Sequence, residues 1–163
     1  MAGHLYYEMP LNFTHTLRTN EEKLQRESQI KDLLDQDWSA DNMKKLLGPV
    51  PAAIISLALD AKLKICSNFD GDHVDLDICK KTVELIGSQN IMLMTDRIQS
   101  KVLGGQELGQ NSDNSLLYQS RGIVAGGSQS VVNQIGNMME IGLGSRDILN
   151  VVRGTAEKLL LDV

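Results

Sequence analysis

A short run of apolar residues at 91–96, IMLMTD, constrains the fold of this chain more than any other segment. It shows no alternation of polar and apolar residues, which is the pattern of a strand buried on both faces. A strand-like segment, AKLKICSNF at 61–69, comes before it, and a helical segment, DLDICKKTVELIG at 75–87, lies between the two. Strand, helix and buried strand in this order predict parallel βα units and therefore an α/β fold.

The segment at 19–47 differs from the rest of the chain because it is densely charged. Thr19 or Asn20 can cap a first helix, and Ser39 can cap a second helix that ends at Gly48. Both helices are expected to be amphipathic, with their charged sides in water. We interpret 19–47 as a solvated helical insertion. The expected apolar stripe of the first helix consists of Leu24, Ile30, Leu33 and Leu34.

Turn residues and caps divide the remaining chain into short elements. A strand is expected to end within HLYYEM at 4–9, and PAAIISLALD at 51–60 is expected to form a buried helix. The polar residues at 104–120 predict a loop or a hairpin, and Ser145 is expected to cap the last helix. Another helix is expected after GIVAGGS, with an apolar face made of Val131, Val132, Ile135, Met138 and Met139.

The overall charge of the chain limits the partners it can have. Its 16 basic and 21 acidic residues give a net charge of −5, whereas non-specific nucleic-acid binding needs a basic face. The first residues lack the basic start and apolar run of a signal peptide, and no apolar run approaches the roughly 20 residues that cross a bilayer. We therefore expect a cytoplasmic protein with no nucleic-acid or membrane partner. Cys66 and Cys79 are expected to be buried free thiols.

Polar residues follow both predicted strands, and one of these groups contains a histidine among aspartates. NFDGDHVDLD at 68–77 fails as an EF-hand loop, because Val74 and Asp75 stand where the fifth ligand and the glycine are needed. In a (β/α) barrel the carboxyl ends of the strands form the active-site face, so His73 and Asp96 would face each other there. Such a histidine can donate to an oxyanion, and such an aspartate can act as general base for a metal-bound water. The alternative is structural, with a histidine held in a turn and an aspartate that caps the next one.

Three glycines in GIVAGGSQS at 122–130 precede a predicted helix. They would let backbone N–H groups approach an anionic or polar ligand closely, although no lysine follows as in a nucleotide-binding loop. A tight turn that only packs strand against helix is equally consistent with them. His4, near the first predicted strand end, is a candidate metal ligand, because barrel metalloenzymes collect one imidazole from each of several strands.

Four segments, taken in order, resemble the N-acetylglucosamine-6-phosphate deacetylases of the amidohydrolase superfamily. HLYYEMP at 4–10 resembles the T-H-L-Y/F-N-A-M-P segment of that family, and DGDHVDLD at 70–77 resembles its D-G-x-H-V-D/H segment. LMTDRIQS at 93–100 resembles L-V-T-D-A-M-x-x, and GIVAGGSQSV at 122–131 resembles G-T-L-A-G-S-x-x-T-M. The resemblance implies a partial TIM-barrel-like domain, comprising strands six to eight, in which the charged helices are an insertion.

The resemblance also implies a role for each matching residue. His4 matches a metal ligand, His73 matches the histidine that polarises the substrate, and Asp96 matches the aspartate that carries a proton from metal-bound water to the leaving amine. The other aspartates around His73 are then turn and helix-start residues. The implied cofactor is a divalent metal, zinc or iron, and the implied substrate is an amino-sugar phosphate. The implied substrate-contacting positions are Tyr7, Glu8, Ala125 and Gly126.

The resemblance covers only the carboxyl half of a barrel, as one partial domain over residues 1–163. A complete barrel takes about 250 residues, and a catalytic metal usually has about three protein ligands. Activity is therefore expected only if a second copy or a complementing chain completes the site. LLGPVPAA at 46–53 lacks the family's phosphate-binding arginine, and Arg97 stands where the family has alanine, where it can crowd the pocket or pair with Asp96. The alternative function is a non-catalytic binding or interaction module on the same scaffold, and the 19–47 helices are a further candidate interaction surface.

Overall fold

The structure is a computed structural model, and it describes residues 1–3, 5, 6, 9 and 19–161 of the chain. Helices and short strands are mixed along it, which confirms the α/β content predicted from the sequence. The strands are β1 (Ala2–Gly3), β2 (Ile65–Ser67), β3 (Ile91–Leu93), β4 (Val102–Leu103), β5 (Gln106–Glu107), β6 (Gly109–Gln110), β7 (Leu116–Tyr118) and β8 (Val124–Gly127). The helices are α1 (Asn20–Lys31), α2 (Ala40–Leu47), α3 (Pro49–Leu59), α4 (Leu76–Ile86), α5 (Val131–Glu140), α6 (Ser145–Leu149) and α7 (Thr155–Leu161).

A parallel sheet of three short strands, in the order β1-β2-β3, carries the candidate site. Ala2 lies opposite Ile65, and Ile65 lies opposite Ile91. Both isoleucines are buried, as the apolar runs predict, and α4 makes the crossover that a parallel pair requires. The carboxyl ends of β2 and β3 therefore meet at the same edge of the sheet.

The polar stretch after β3 forms antiparallel structure, as the hairpin alternative predicted. Strands β4 and β5 pair with each other, and β6, β7 and β8 form a second sheet of three strands. The glycine segment is itself a strand here rather than a tight turn, because it pairs with the buried strand β7. Leu117 lies opposite Gly126, and Leu116 lies opposite Gly127.

The charged segment at 19–47 is packed into the domain and is not only a solvated insertion. Thr19 caps α1 through a capping box with Glu22, as predicted, and Ser39 is the N-cap residue of α2. Leu24, however, is 52% exposed. The apolar side chains that this segment gives to the core are Ile30, Trp38, Met43 and Leu47.

Caps and glycines set the ends of the helices that flank the site. Asp75 caps α4, and Gly87 ends it, as the sequence predicted. Ser130 caps α5 through a reciprocal pair of contacts with Asn133. The prediction for the last helix is wrong by one residue, because Gly144 is the N-cap and Ser145 is the first helical residue. A π-helical turn over Asn150–Gly154 then separates α6 from α7.

Helix α5 buries only part of the face that its apolar residues predict, and it also buries a polar residue. Val132 is 76% exposed and Met139 is 65% exposed, whereas Gln134 and Met138 are fully buried. A polar side chain faces inward here because the strand ends beneath the helix present backbone groups that need hydrogen-bond partners.

Two remaining expectations concern the cysteines and the membrane. Neither cysteine of the described chain forms a disulfide, and Cys79 is buried, as predicted, whereas Cys66 is half-buried. Among the residues that the structure describes, no helix is both long and apolar enough to cross a membrane.

Candidate functional site

The turn after β2 is built around the buried carboxylate of Asp70. Its Oδ1 accepts hydrogen bonds from the backbone N–H groups of Asp72 (3.0 Å) and His73 (2.9 Å), which closes a tight Asx turn. Its Oδ2 lies 2.5 Å from His73 Nδ1. The Asp70 side chain is 0% exposed and that of His73 is 1% exposed. The turn therefore holds the imidazole in one orientation, with Nε2 directed away from Asp70.

Asp96, which follows β3, approaches the other side of the same ring. Its Oδ2 lies 3.1 Å from His73 Nε2, and its side chain is 32% exposed. The backbone of Asp96 is in the left-handed region, with φ of 45°, a conformation that non-glycine residues seldom adopt. Strained backbone of this kind is often found at functional sites. The imidazole of His73 thus lies between two carboxylates that come from successive parallel strands.

The two carboxylates determine the charge of the imidazole. Burial disfavours the charged ring, but the hydrogen bonds and negative charges of Asp70 and Asp96 outweigh it and raise the pKa of His73 to about 9. Burial likewise opposes the charge on Asp70, yet the contacts with His73 and with two backbone N–H groups leave its pKa below the ordinary value. At neutral pH the three side chains therefore form a carboxylate, imidazolium and carboxylate series.

Gly127 of β8 packs against both the imidazole of His73 and the carboxylate of Asp70. The Gly127 N–H donates to the Asp96 carbonyl, and the Ile98 N–H donates to the Gly127 carbonyl, both at 2.8 Å. A methyl group at Gly127 would lie 3.1 Å from His73 Cε1 and 3.3 Å from Asp70 Oδ2. Glycine fits here because its backbone packs directly against the imidazole, and a side chain would have to displace His73 or Asp70 by a few tenths of an ångström. The expected tight turn between strand and helix is thus replaced by a strand that packs against the imidazole, and the contact of this segment with a ligand stays a prediction.

Arg97 does not form a described ion pair with the neighbouring Asp96. Its Nε donates to the Ser128 carbonyl at 3.1 Å, just beyond the glycines of β8. Ser128 Oγ in turn donates to the Ser115 carbonyl, and Ser115 donates through both N–H and Oγ to Asp72. Arg97 thus ties the loop after β3 to the end of β8, next to the three charged residues.

The predicted site residues fall into two groups. His73 and Asp96 contact each other, and Ala125 and Gly126 lie in β8 beside Gly127. His4, Tyr7 and Glu8 lie outside the described residues, so their predicted roles stay predictions. Within the described part of the chain, no three or more His, Cys, Asp or Glu side chains form a group that could hold a metal. The described residues thus do not by themselves fit a metal site.

Sequence reasoning missed Asp70, which we had assigned to the turn alone. It is a turn residue, but it is also the carboxylate that orients and charges His73. A signal for this role exists in the sequence. Because an Asx turn folds the backbone over three residues, an aspartate three positions before a histidine can reach its Nδ1.

Among proteins of known structure, the chain resembles the fold of enzymes that act on N-acetyl sugars. One is N-acetylglucosamine-6-phosphate deacetylase from Pasteurella multocida, with a TM-score of 0.56 and 20% identity over 68% of this chain and 30% of that chain. Another is the N-acetylglucosamine-6-phosphate deacetylase from Thermotoga maritima, with a TM-score of 0.60 and 19% identity over 72% of this chain and 33% of that chain. Neither a protein-family model nor a curated protein matches the sequence.

These likenesses show a related fold and no more, because the identities are low. The chain spans about a third of the length of the solved structures it matches. The same fold supports many chemistries, so activity has to be argued from the site itself.

Proposed function

We propose that the chain contributes the carboxyl half of an amide-hydrolysing site that deacetylates an N-acetyl amino-sugar phosphate. The scaffold we propose is a partial (β/α) barrel over residues 1–163, in which β1, β2 and β3 stand for strands six to eight. The names of the two structural neighbours support the substrate class, since both act on N-acetylglucosamine 6-phosphate. The observation that carries the proposal is the position of His73 between Asp70 and Asp96 at the carboxyl edge of a parallel sheet.

His73 is suited to stabilise the negative charge that develops on an amide oxygen. The carboxylate of Asp70 contacts Nδ1 of the imidazole, and the proton on Nε2 therefore faces Asp96. A charged donor fixed in a buried site stabilises an oxyanion more than the same donor in water does. With a pKa near 9, His73 keeps both ring protons at neutral pH and stays a donor throughout the reaction.

Asp96 is suited to move the proton, because it is partly exposed and next to the donor. In the proposed reaction a water oxygen adds to the acetyl carbon, and the carbonyl electrons move to the oxygen that faces His73. One water proton passes through Asp96 to the amide nitrogen, and the carbonyl re-forms as the carbon–nitrogen bond breaks. A free amine and acetic acid leave, and the acid keeps the second water proton until it ionises to acetate. General acid–base catalysis of this kind contributes about 10²–10⁴ in rate.

The completed site would also contain a divalent metal, zinc or iron, with His4 as one of its ligands. Its remaining ligands would come from a second copy of the chain or from a complementing chain. The described residues do not by themselves form this metal site.

A non-catalytic binding module is the second candidate function. The observation that favours it is the hydrogen bond from Arg97 Nε to the Ser128 carbonyl. This hydrogen bond places a long charged side chain beside the glycines of β8. On this hypothesis the charged side chains of Asp70, His73 and Asp96 only stabilise the scaffold. A sugar phosphate would then bind without being cleaved.

The test is acetate release from N-acetylglucosamine 6-phosphate by the full chain, with zinc or ferrous iron added. Elemental analysis and the mass in solution are measured on the same sample. We expect near-stoichiometric metal in an oligomer, and activity that falls at least about 100-fold in Asp96→Asn. Metal loading without acetate release above the level of Asp96→Asn would contradict the catalytic proposal. Saturable binding of uncleaved substrate in that sample would support the binding module.

A further inference from the structure

A buried glutamine, Gln134, lies on the inward face of α5 one turn after the helix begins. Its side chain is 0% exposed, although glutamine is seldom fully buried in proteins. Its position therefore needs an explanation beyond the packing of α5.

Gln134 joins the two strand ends that carry the candidate site. Its Oε1 accepts a hydrogen bond from the Phe69 N–H at 2.7 Å, and its Nε2 donates to the Thr95 carbonyl at 3.3 Å. Phe69 directly precedes Asp70, and Thr95 directly precedes Asp96. A single side chain thus holds the backbone on both sides of the His73 imidazole.

Neighbouring amide side chains fix α5 against the turn after β2. Asn137 donates to the Phe69 carbonyl at 2.8 Å and to Gln129 Oε1 at 3.1 Å. Gln129 Nε2 donates to the Asp70 carbonyl at 2.8 Å. Because these contacts set the height and rotation of α5, Gln134 has little freedom to follow either strand end if one of them moves.

We propose that Gln134 is a positioning residue that fixes the separation between the His73 imidazole and the Asp96 carboxylate. The inference rests on the proposed function in one respect, which is the reason for the separation. In that function it keeps the oxyanion donor, His73, and the proton carrier, Asp96, within reach of one amide. Asp70 needs no such help, since it is held by the same turn that carries His73.

The competing explanation is that Gln134 only satisfies two backbone groups beyond the end of the sheet. On that explanation its removal lowers the stability of the fold but leaves the His73 environment unchanged. The titration of the His73 ring separates the two explanations. Among the residues that the structure describes, the charged groups that face the ring are Asp70 and Asp96, and only Asp96 would move.

The experiment is an NMR pH titration of the histidine rings in the full chain, with the His73 signal assigned by its loss in His73→Gln. The variants are Gln134→Met, which keeps the length but loses both hydrogen bonds, and Gln134→Asn, which is too short to span the two strand ends. Met138→Ala, a fully buried neighbour on the same helix, is the control for general loosening. We expect the pKa of His73 to fall by about half a pH unit in both Gln134 variants and to stay unchanged in Met138→Ala.

Each other outcome overturns the inference. An unchanged pKa in a folded Gln134 variant, or an equal fall in Met138→Ala, would show that the residue has no specific positioning role. Failure of both Gln134 variants to fold would make Gln134 a general determinant of stability, and the positioning role would be withdrawn. The titration does not use turnover, so it is independent of whether the chain releases acetate.

Discussion

The two strand ends of the candidate site hold their aspartates in opposite ways. Asp70 is completely buried, and its carboxylate is held by two backbone N–H groups and by the imidazole. Asp96 is about one-third exposed and sits on a backbone with positive φ. A buried carboxylate whose oxygens all accept hydrogen bonds sets the charge of the imidazole beside it, whereas an exposed carboxylate can contact a substrate. Asp70 therefore serves the orientation and charge of His73, and under the proposed function Asp96 is the carboxylate that meets the substrate.

The largest expected effect is therefore on stability, from Asp70→Asn. The change removes the charge partner of a buried imidazolium, and breaking a buried pair costs about 3–5 kcal/mol. Urea unfolding at pH 6 measures the loss. The matched control is Asp72→Asn in the same turn, where we expect a loss of about 1 kcal/mol, because Asp72 is less buried and an amide can still accept from Ser115. Equal losses in the two variants would remove the distinction between Asp70 and its neighbours.

The second prediction concerns pH. The folded state raises the pKa of His73 from 6.5 to about 9, so its contribution to stability is fully present below pH 6.5 and is lost as the pH rises through 9. The loss is on the order of 3 kcal/mol, and it is measured as the free energy of unfolding between pH 6 and pH 9.5. In Asp70→Asn this pH dependence should largely disappear. If it persists unchanged in that variant, another group titrates in this range.

The carboxyl-edge position of His73 and Asp96 could be predicted from the sequence, but the way they are held could not. Buried runs separated by a helix predict parallel strands, and parallel strands bring residues that follow them to one edge. The contacts of Asp70 depend on the exact conformation of its turn, and those of Gln134 depend on the exact rotation of α5. The periodicity of apolar residues does not encode this turn conformation or this helix rotation, because it describes only which side chains are buried.

The same limit explains the errors in α5 and in the charged segment. The apolar residues Val132 and Met139 suggested the inward face of α5, yet hydrogen-bond demand from the strand ends turned Gln134 inward instead. In 19–47 the density of charge suggested a solvated insertion, although Trp38 and Met43 are buried in the core. Long charged side chains can cover a core while their charged ends stay in water, so charge density alone does not indicate a solvated segment.

The smallest expected effect on stability is that of Asp96→Asn. Asparagine tolerates the left-handed backbone about as well as aspartate, so the substitution removes the charge and keeps the conformation. Because the side chain is partly exposed, we expect a loss of at most about 1 kcal/mol in the free energy of unfolding at pH 6. Asp96→Ala removes the charge and also disfavours positive φ, which adds about 1–2 kcal/mol. The difference between these two variants therefore measures the backbone cost together with the remaining side-chain contacts of asparagine. If Asp96→Asn destabilised the fold as much as Asp70→Asn does, the two strand ends would share one structural role, and the assignment of chemistry to Asp96 would lose its physical basis.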